Sequence, residues 1–135
     1  MDEKHVVACF LKHGDKIPIF RRSNKVGTYS GKWAGVSGYL EKGVTAYEQA
    51  ICEIEEETGL NSEDVDLLKE GIPLEVIDDK LDRKWVIHAF LFQIKEPGKI
   101  RLDWEHTDMK WIYPPDLSDY DTVPKLLQTW DTIAP

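Results

Sequence analysis

The sequence predicts an α/β fold, because apolar runs with β character alternate with two stretches of helical periodicity. Three observations carry that expectation. Trp85–Ile94 is nearly continuous apolar sequence, the pattern of a central strand covered on both faces. Residues 45–59 read as a helix punctuated at both ends. Near the C-terminus, Val123, Leu126, Leu127, Trp130 and Ile133 recur at helical spacing. Neither an internal repeat nor a linker divides the 135 residues, so one domain over 1–135 is expected.

Taken in order, His5–Leu11 and Lys16–Arg22 are β-favouring runs separated by His13-Gly14-Asp15, which reads as a hairpin. Ser23–Lys32 is polar and reads as a loop, and Trp33–Leu40 as a glycine-interrupted strand entering a bend. In the helix that follows, Thr45 and Glu48 make a capping box, and Gly59 falls where a left-handed C-terminal cap belongs. Its apolar face is Tyr47, Ala50, Ile51 and Ile54, roughly a third of a turn from Glu53, Glu56 and Glu57, so packing and carboxylate faces are expected to be distinct. Val65–Val76 has β character interrupted by Gly71 and Pro73. Pro97-Gly98 marks a turn, Ile100–Leu102 and Met109–Tyr113 read as short strands, and a one-faced helix follows Pro114-Pro115.

Hydrophobic residues make up 41% of the chain and charged residues 31%, ordinary values for a globular protein. There is no long apolar run, and the Met-Asp-Glu-Lys start is unlike a signal peptide, so a cytoplasmic protein with no membrane association is expected. Cys9 and Cys52 are too few for a disulfide framework and read as reduced thiols. The net charge of −8 is local. Residues 43–68 hold eight acids and no Lys or Arg, and the remainder balances at 17 acids against 17 bases. That excludes a general nucleic-acid binder, which carries a basic stripe.

Glu53, Glu56 and Glu57 stand at i, i+3 and i+4, so a helix stacks them on one side without a cation at helical spacing. Such an array is either a solvated acidic face or a cation site, and a divalent ion is the sharper reading. All-oxygen ligands suit a hard ion, Mg²⁺, with Mn²⁺ able to substitute.

The stretch Gly38–Leu60, GYLEKGVTAYEQAICEIEEETGL, resembles the Nudix box of the MutT-like hydrolases, G-x5-E-x7-R-E-U-x-E-E-x-G-U with U a bulky aliphatic. Seven of its nine specified positions match: Gly38, Glu53, Ile54, Glu56, Glu57, Gly59 and Leu60. Val44 stands where the family has glutamate and Cys52 where it has arginine, and Val36-Ser37-Gly38 replaces the usual Pro-Gly-Gly. In the family that arginine helps orient the first helix glutamate. Losing such supporting contacts costs roughly 10–100-fold in metal affinity or activity, so slowed catalysis is implied. The flanks are similar too: Ile19-Phe20-Arg21-Arg22-Ser23 looks like the basic strand end before the box, and Trp104-Glu105-His106 with Trp111 looks like a downstream Glu-His…Trp element.

The resemblance implies an α/β/α sandwich with a mixed β-sheet and a catalytic loop–helix–loop. It implies Mg²⁺-dependent hydrolysis of a nucleoside diphosphate linked to another moiety, by water attack on phosphorus. Glu53, Glu56 and Glu57 would hold the metal with the Ser37 carbonyl, and Glu105 is the candidate base. Arg21 and Arg22 alternate across a strand, so one of them is expected to contact substrate; Lys25 and Lys32 are weaker candidates. Trp33 is either a base-stacking residue or core. His88 reads as a core histidine, and Cys52 has no base at helical spacing to activate it. A nucleotide- or metabolite-binding regulatory module with little turnover is the alternative that Val44 and Cys52 keep open. The reading is compatible with a homodimer.

Overall fold

The computed structural model describes residues 1–135. Its regular elements are β1 (Asp2–Lys12), β2 (Ile17–Arg22), β3 (Trp33–Ala34), β4 (Val36–Tyr39), α1 (Ala46–Thr58), β5 (Val65–Glu70), β6 (Leu74–Asp78), β7 (Arg83–Ile94), β8 (His106–Ile112) and α2 (Leu126–Ile133). A mixed five-stranded sheet runs β4-β1-β7-β5, with β6 also paired to β7, and a smaller antiparallel sheet runs β3-β2-β8. The run expected to be a central strand is β7, which pairs in parallel with the whole of β1 and antiparallel with β5 and β6.

Alternation along β1 and β7 divides the core into two layers. On one face Val7, Cys9 and Leu11 with Phe90, Phe92 and Ile94 meet Ala50 and Ile54 of α1. On the other, Phe10, Ala89 and Leu91 meet Leu126, Trp130 and Ile133 of α2, together with Ile17 and Ile19 of β2. The two helices thus cover opposite faces of the mixed sheet, the sandwich that the box resemblance implies. Complete burial of Phe90, Phe92, Ile54 and Ile133 makes this apolar contact the main stabilising term, at roughly 1.5–3 kcal/mol per large side chain.

The caps of α1 hold it in register with the sheet. Thr45 Oγ1 accepts the Glu48 N–H at 3.1 Å and gives its own proton to Glu48 Oε1 at 2.9 Å, so Glu48 answers the hydroxyl rather than the backbone of a reciprocal box. Gly59 takes φ 77°, in the left-handed region that a Cβ disfavours, and donates to Glu55 O.

Several expectations are corrected. His13 and Lys16 form a single bridge, after which β1 and β2 enter different sheets, so the expected hairpin is only a turn. Trp33–Leu40 divides at Gly35, where a Cβ would lie 2.7 Å from Cys9 O. Ile100–Leu102 is not a strand, and Pro114–Asp119 forms a 3₁₀ turn before α2. The first half of β7 is only partly covered; His88 is half-buried and hydrogen-bonded to His5 at 2.9 Å rather than core. Tyr47 and Leu127 are exposed at the margins of the helix faces. No helix is long and apolar enough to cross a membrane.

Candidate active site

The site is built where the β4–α1 loop, the C-terminal half of α1 and the turn entering β8 converge. Gly38 lies under Glu53, and a Cβ there would fall on the Glu53 carboxyl carbon and both its oxygens. The glycine is thus needed for space rather than for backbone freedom. Gln49, one turn before Glu53 and 2% exposed, donates from Nε2 to Glu53 Oε1 at 3.0 Å. Its Oε1 accepts the backbone N–H of Glu41 at 3.1 Å. Glu56 is exposed.

Glu57 departs from expectation. It is 2% exposed, so packing and carboxylate faces of α1 are not separate. The cover comes from the turn before β8. Ser23 fixes that turn by donating from its Oγ to Trp104 O at 2.8 Å and from its N–H to Glu105 O at 2.7 Å. Asp103 Oδ1 accepts the Glu105 N–H and faces His106 Nδ1 at 3.2 Å. With the Nδ1 proton directed at Asp103, His106 Nε2 presents a lone pair toward Glu57 Oε1, 3.7 Å away. One ligand atom from each of Glu57, Glu105 and His106 lies within 4.8 Å of the others.

The electrostatics follow from this crowding of acids in a partly dry space. Burial pushes the Glu57 carboxyl up to about 10, reinforced by the hydrogen bond that the protonated Glu57 donates to the Glu53 carboxylate and by the charges of Glu105, Glu53 and Asp103. Burial also raises Glu53, against the opposing effect of hydrogen bonds with Glu57 and Gln49. Burial raises Glu105, with Asp103 and Glu53 adding to it and Arg22 opposing. Burial lowers His106 against the pull of Asp103. Glu57 therefore carries the shared proton of the Glu53–Glu57 pair.

A cleft of about 990 Å³ opens beside these groups, walled by Ser37, Glu53, Glu56, Glu105, Arg22 and the exposed Trp104. Arg22 enters it with Nε and Nη2 held by Thr28 O and Oγ1 at 2.9 and 3.3 Å. Arg21 points elsewhere, donating to Gly31 O at 3.1 Å beside Asp108. Trp33 packs edge-on against Tyr120 at 5.9 Å, joins the α2-side core and does not line the cleft. Lys32 pairs with Asp121 at 2.9 Å, and Lys25 is exposed. The strand alternation explains why only one arginine reaches the cleft.

Gln49, Asp103, His106 and Ser23 complete the site without having been singled out among its residues. The i, i+4 spacing of Gln49 to Glu53 is a readable signal. Asp103 stands only three residues before His106, within the stretch that holds the Glu-His…Trp element, whereas the partners of Ser23, and Glu57 opposite His106, are distant in sequence and leave no signal.

The donor set fits a divalent cation. Glu57 Oε2 and His106 Nε2 are both buried without a hydrogen-bond partner, a condition native interiors seldom leave uncompensated. Carboxylates supply the remaining ligand atoms, as hard cations require.

The NUDIX domain family profile matches residues 2–130. Solved structures share the fold. The MutT protein from Methanosarcina mazei Go1 superposes with a TM-score of 0.78 at 17% identity, over 96% of this chain and 91% of that one. A MutT NUDIX hydrolase from Burkholderia pseudomallei gives 0.76 at 18%, over 99% and 100%. A C. elegans Ap4A hydrolase in a binary complex gives 0.74 at 16%, over 98% and 94%. At these identities the likeness is one of fold.

Proposed function

The chain belongs to the NUDIX domain family, and from that premise we propose that it is a Mg²⁺-dependent hydrolase of a nucleoside diphosphate linked to another moiety. The observation that carries the proposal is Glu57, buried with an unpartnered oxygen between Glu53 on one side and Glu105 and His106 on the other. Glu53, Glu56 and Glu57 would hold the cation, Mg²⁺ or in its place Mn²⁺, with the Ser37 carbonyl as a further ligand. Bound there, the ion supplies positive charge against the phosphate oxygens and the clustered carboxylates. Glu105 stands at the cleft wall with its affinity for a proton raised, which suits a general base that takes the proton of the attacking water. Arg22, its guanidinium already held by Thr28, offers N–H groups to a phosphate. Trp104 presents an exposed ring at the same cleft for a nucleobase. Two free thiols, Cys9 and Cys52, suit a reducing cytoplasmic setting.

The test is incubation with Mg²⁺ and a panel of nucleotide sugars, dNTPs, ADP-ribose and capped dinucleotides, with products separated by chromatography. Cleavage that needs Mg²⁺ and is lost in Glu57→Gln is the expected result. Tight nucleotide binding with no turnover across the panel would replace this reading with that of a regulatory binding module.

A further inference from the structure

Glu53 is held without a positive charge. No lysine or arginine pairs with it, and its side-chain partners are the Glu57 carboxyl and Gln49 Nε2. Cys52, its neighbour on α1, is exposed and directs its thiol to Glu56 Oε1 at 3.5 Å. Gln49 uses both ends of its amide. Its orientation is fixed by chemistry, because the Glu41 N–H can only be answered by the amide oxygen, which leaves the NH₂ end to Glu53. A flipped amide would set two donors against each other at Glu41 and two acceptors at Glu53. The loop before α1 therefore dictates which atom faces the carboxylate. Gly38, with no Cβ, leaves open the space that the Glu53 carboxylate fills, so Glu53 is seated from below and tethered from the side.

We infer that Gln49 is the positioning residue for Glu53: through the Glu41 N–H it aims a neutral donor at Oε1 and so fixes the carboxylate for cation binding. The inference rests on the cation role proposed for Glu53. Gln49 touches neither substrate nor water in this role and acts only through Glu53.

The test uses the full chain and needs no substrate. Gln49→Met keeps length and burial while removing both hydrogen bonds. Titration with Mn²⁺, followed by the EPR signal of the free ion, is expected to show affinity weaker by roughly 10–100-fold than wild type, with the metal-free protein still unfolding in one cooperative transition. Affinity within twofold of wild type in a folded Gln49→Met would overturn the inference. An independent readout needs no variant: ¹⁵N NMR of the metal-free wild type is expected to show one Gln49 side-chain amide proton slowly exchanging, and exchange of both at the solvent rate would also overturn it. Mn²⁺ binding that depends on Gln49 without turnover of any substrate would remove the hydrolase reading and leave this inference standing. A wild type that binds no Mn²⁺ would end both.

Discussion

A carboxyl as deeply buried as Glu57, among other acids, keeps its proton in the folded chain to a pH of about 10, whereas the unfolded chain releases it near the usual carboxylate range. Between those limits the native state binds more protons than the unfolded state, so this group's contribution to metal-free stability falls as pH rises. Glu57→Gln abolishes the titration. At pH 8 with EDTA it is predicted to raise the melting temperature by roughly 3–6 °C while abolishing cation binding; a lowered melting temperature would contradict the assignment. Gly38→Ala tests the seat of Glu53. Its methyl displaces that carboxylate, and Mn²⁺ affinity measured by calorimetry is expected to fall by roughly 10–100-fold. The spacing of Glu53, Glu56 and Glu57 was readable because it depends only on the angle around α1. The burial of Glu57 was not, because Asp103, Glu105 and His106, which crowd it, lie some forty-six or more positions later in the chain.

Among the elements, α1 was the most legible, since its caps and apolar residues are local. Thr45 and Gly59 occupy the two ends as their chemistry demands. Thr45→Ala removes the acceptor for the Glu48 N–H and is predicted to cost about 1 kcal/mol, read as a lower urea midpoint at unchanged slope. The strands were legible as β character and not as partners. β1 ends in a tight turn that invites pairing with β2, yet β1 pairs along its length with β7, and β2 with β8. Such pairings are set by the sheet as a whole. Gly35 shows the same limit: its close approach to Cys9 O separates β3 from β4 and sends them to different sheets. Arg22 and Arg21 follow from that geometry, because the strand that places one in the cleft turns the other toward Asp108.

For the whole molecule, the α/β character was legible from alternating patterns, and the sandwich from the box resemblance rather than from periodicity. Of the acids concentrated in residues 43–68, Glu53 and Glu56 line the cleft in the fold, where Glu105 from the turn before β8 joins them. A cation that binds only the native state stabilises it by mass action, about 2.7 kcal/mol at a hundredfold excess over Kd. Saturating Mn²⁺ is therefore expected to raise the melting temperature of wild type and to leave that of Glu57→Gln unmoved, as followed by differential scanning calorimetry. The central claim is that this cluster directs water to the phosphorus of a nucleoside diphosphate derivative. It is tested most directly by turnover in H₂¹⁸O with Mg²⁺, using ³¹P NMR to locate the label across the substrate panel. The account predicts ¹⁸O on a phosphate product, formed only with the divalent ion and not by Glu57→Gln; cleavage with no label on phosphate, or turnover undiminished in Glu57→Gln, would contradict it.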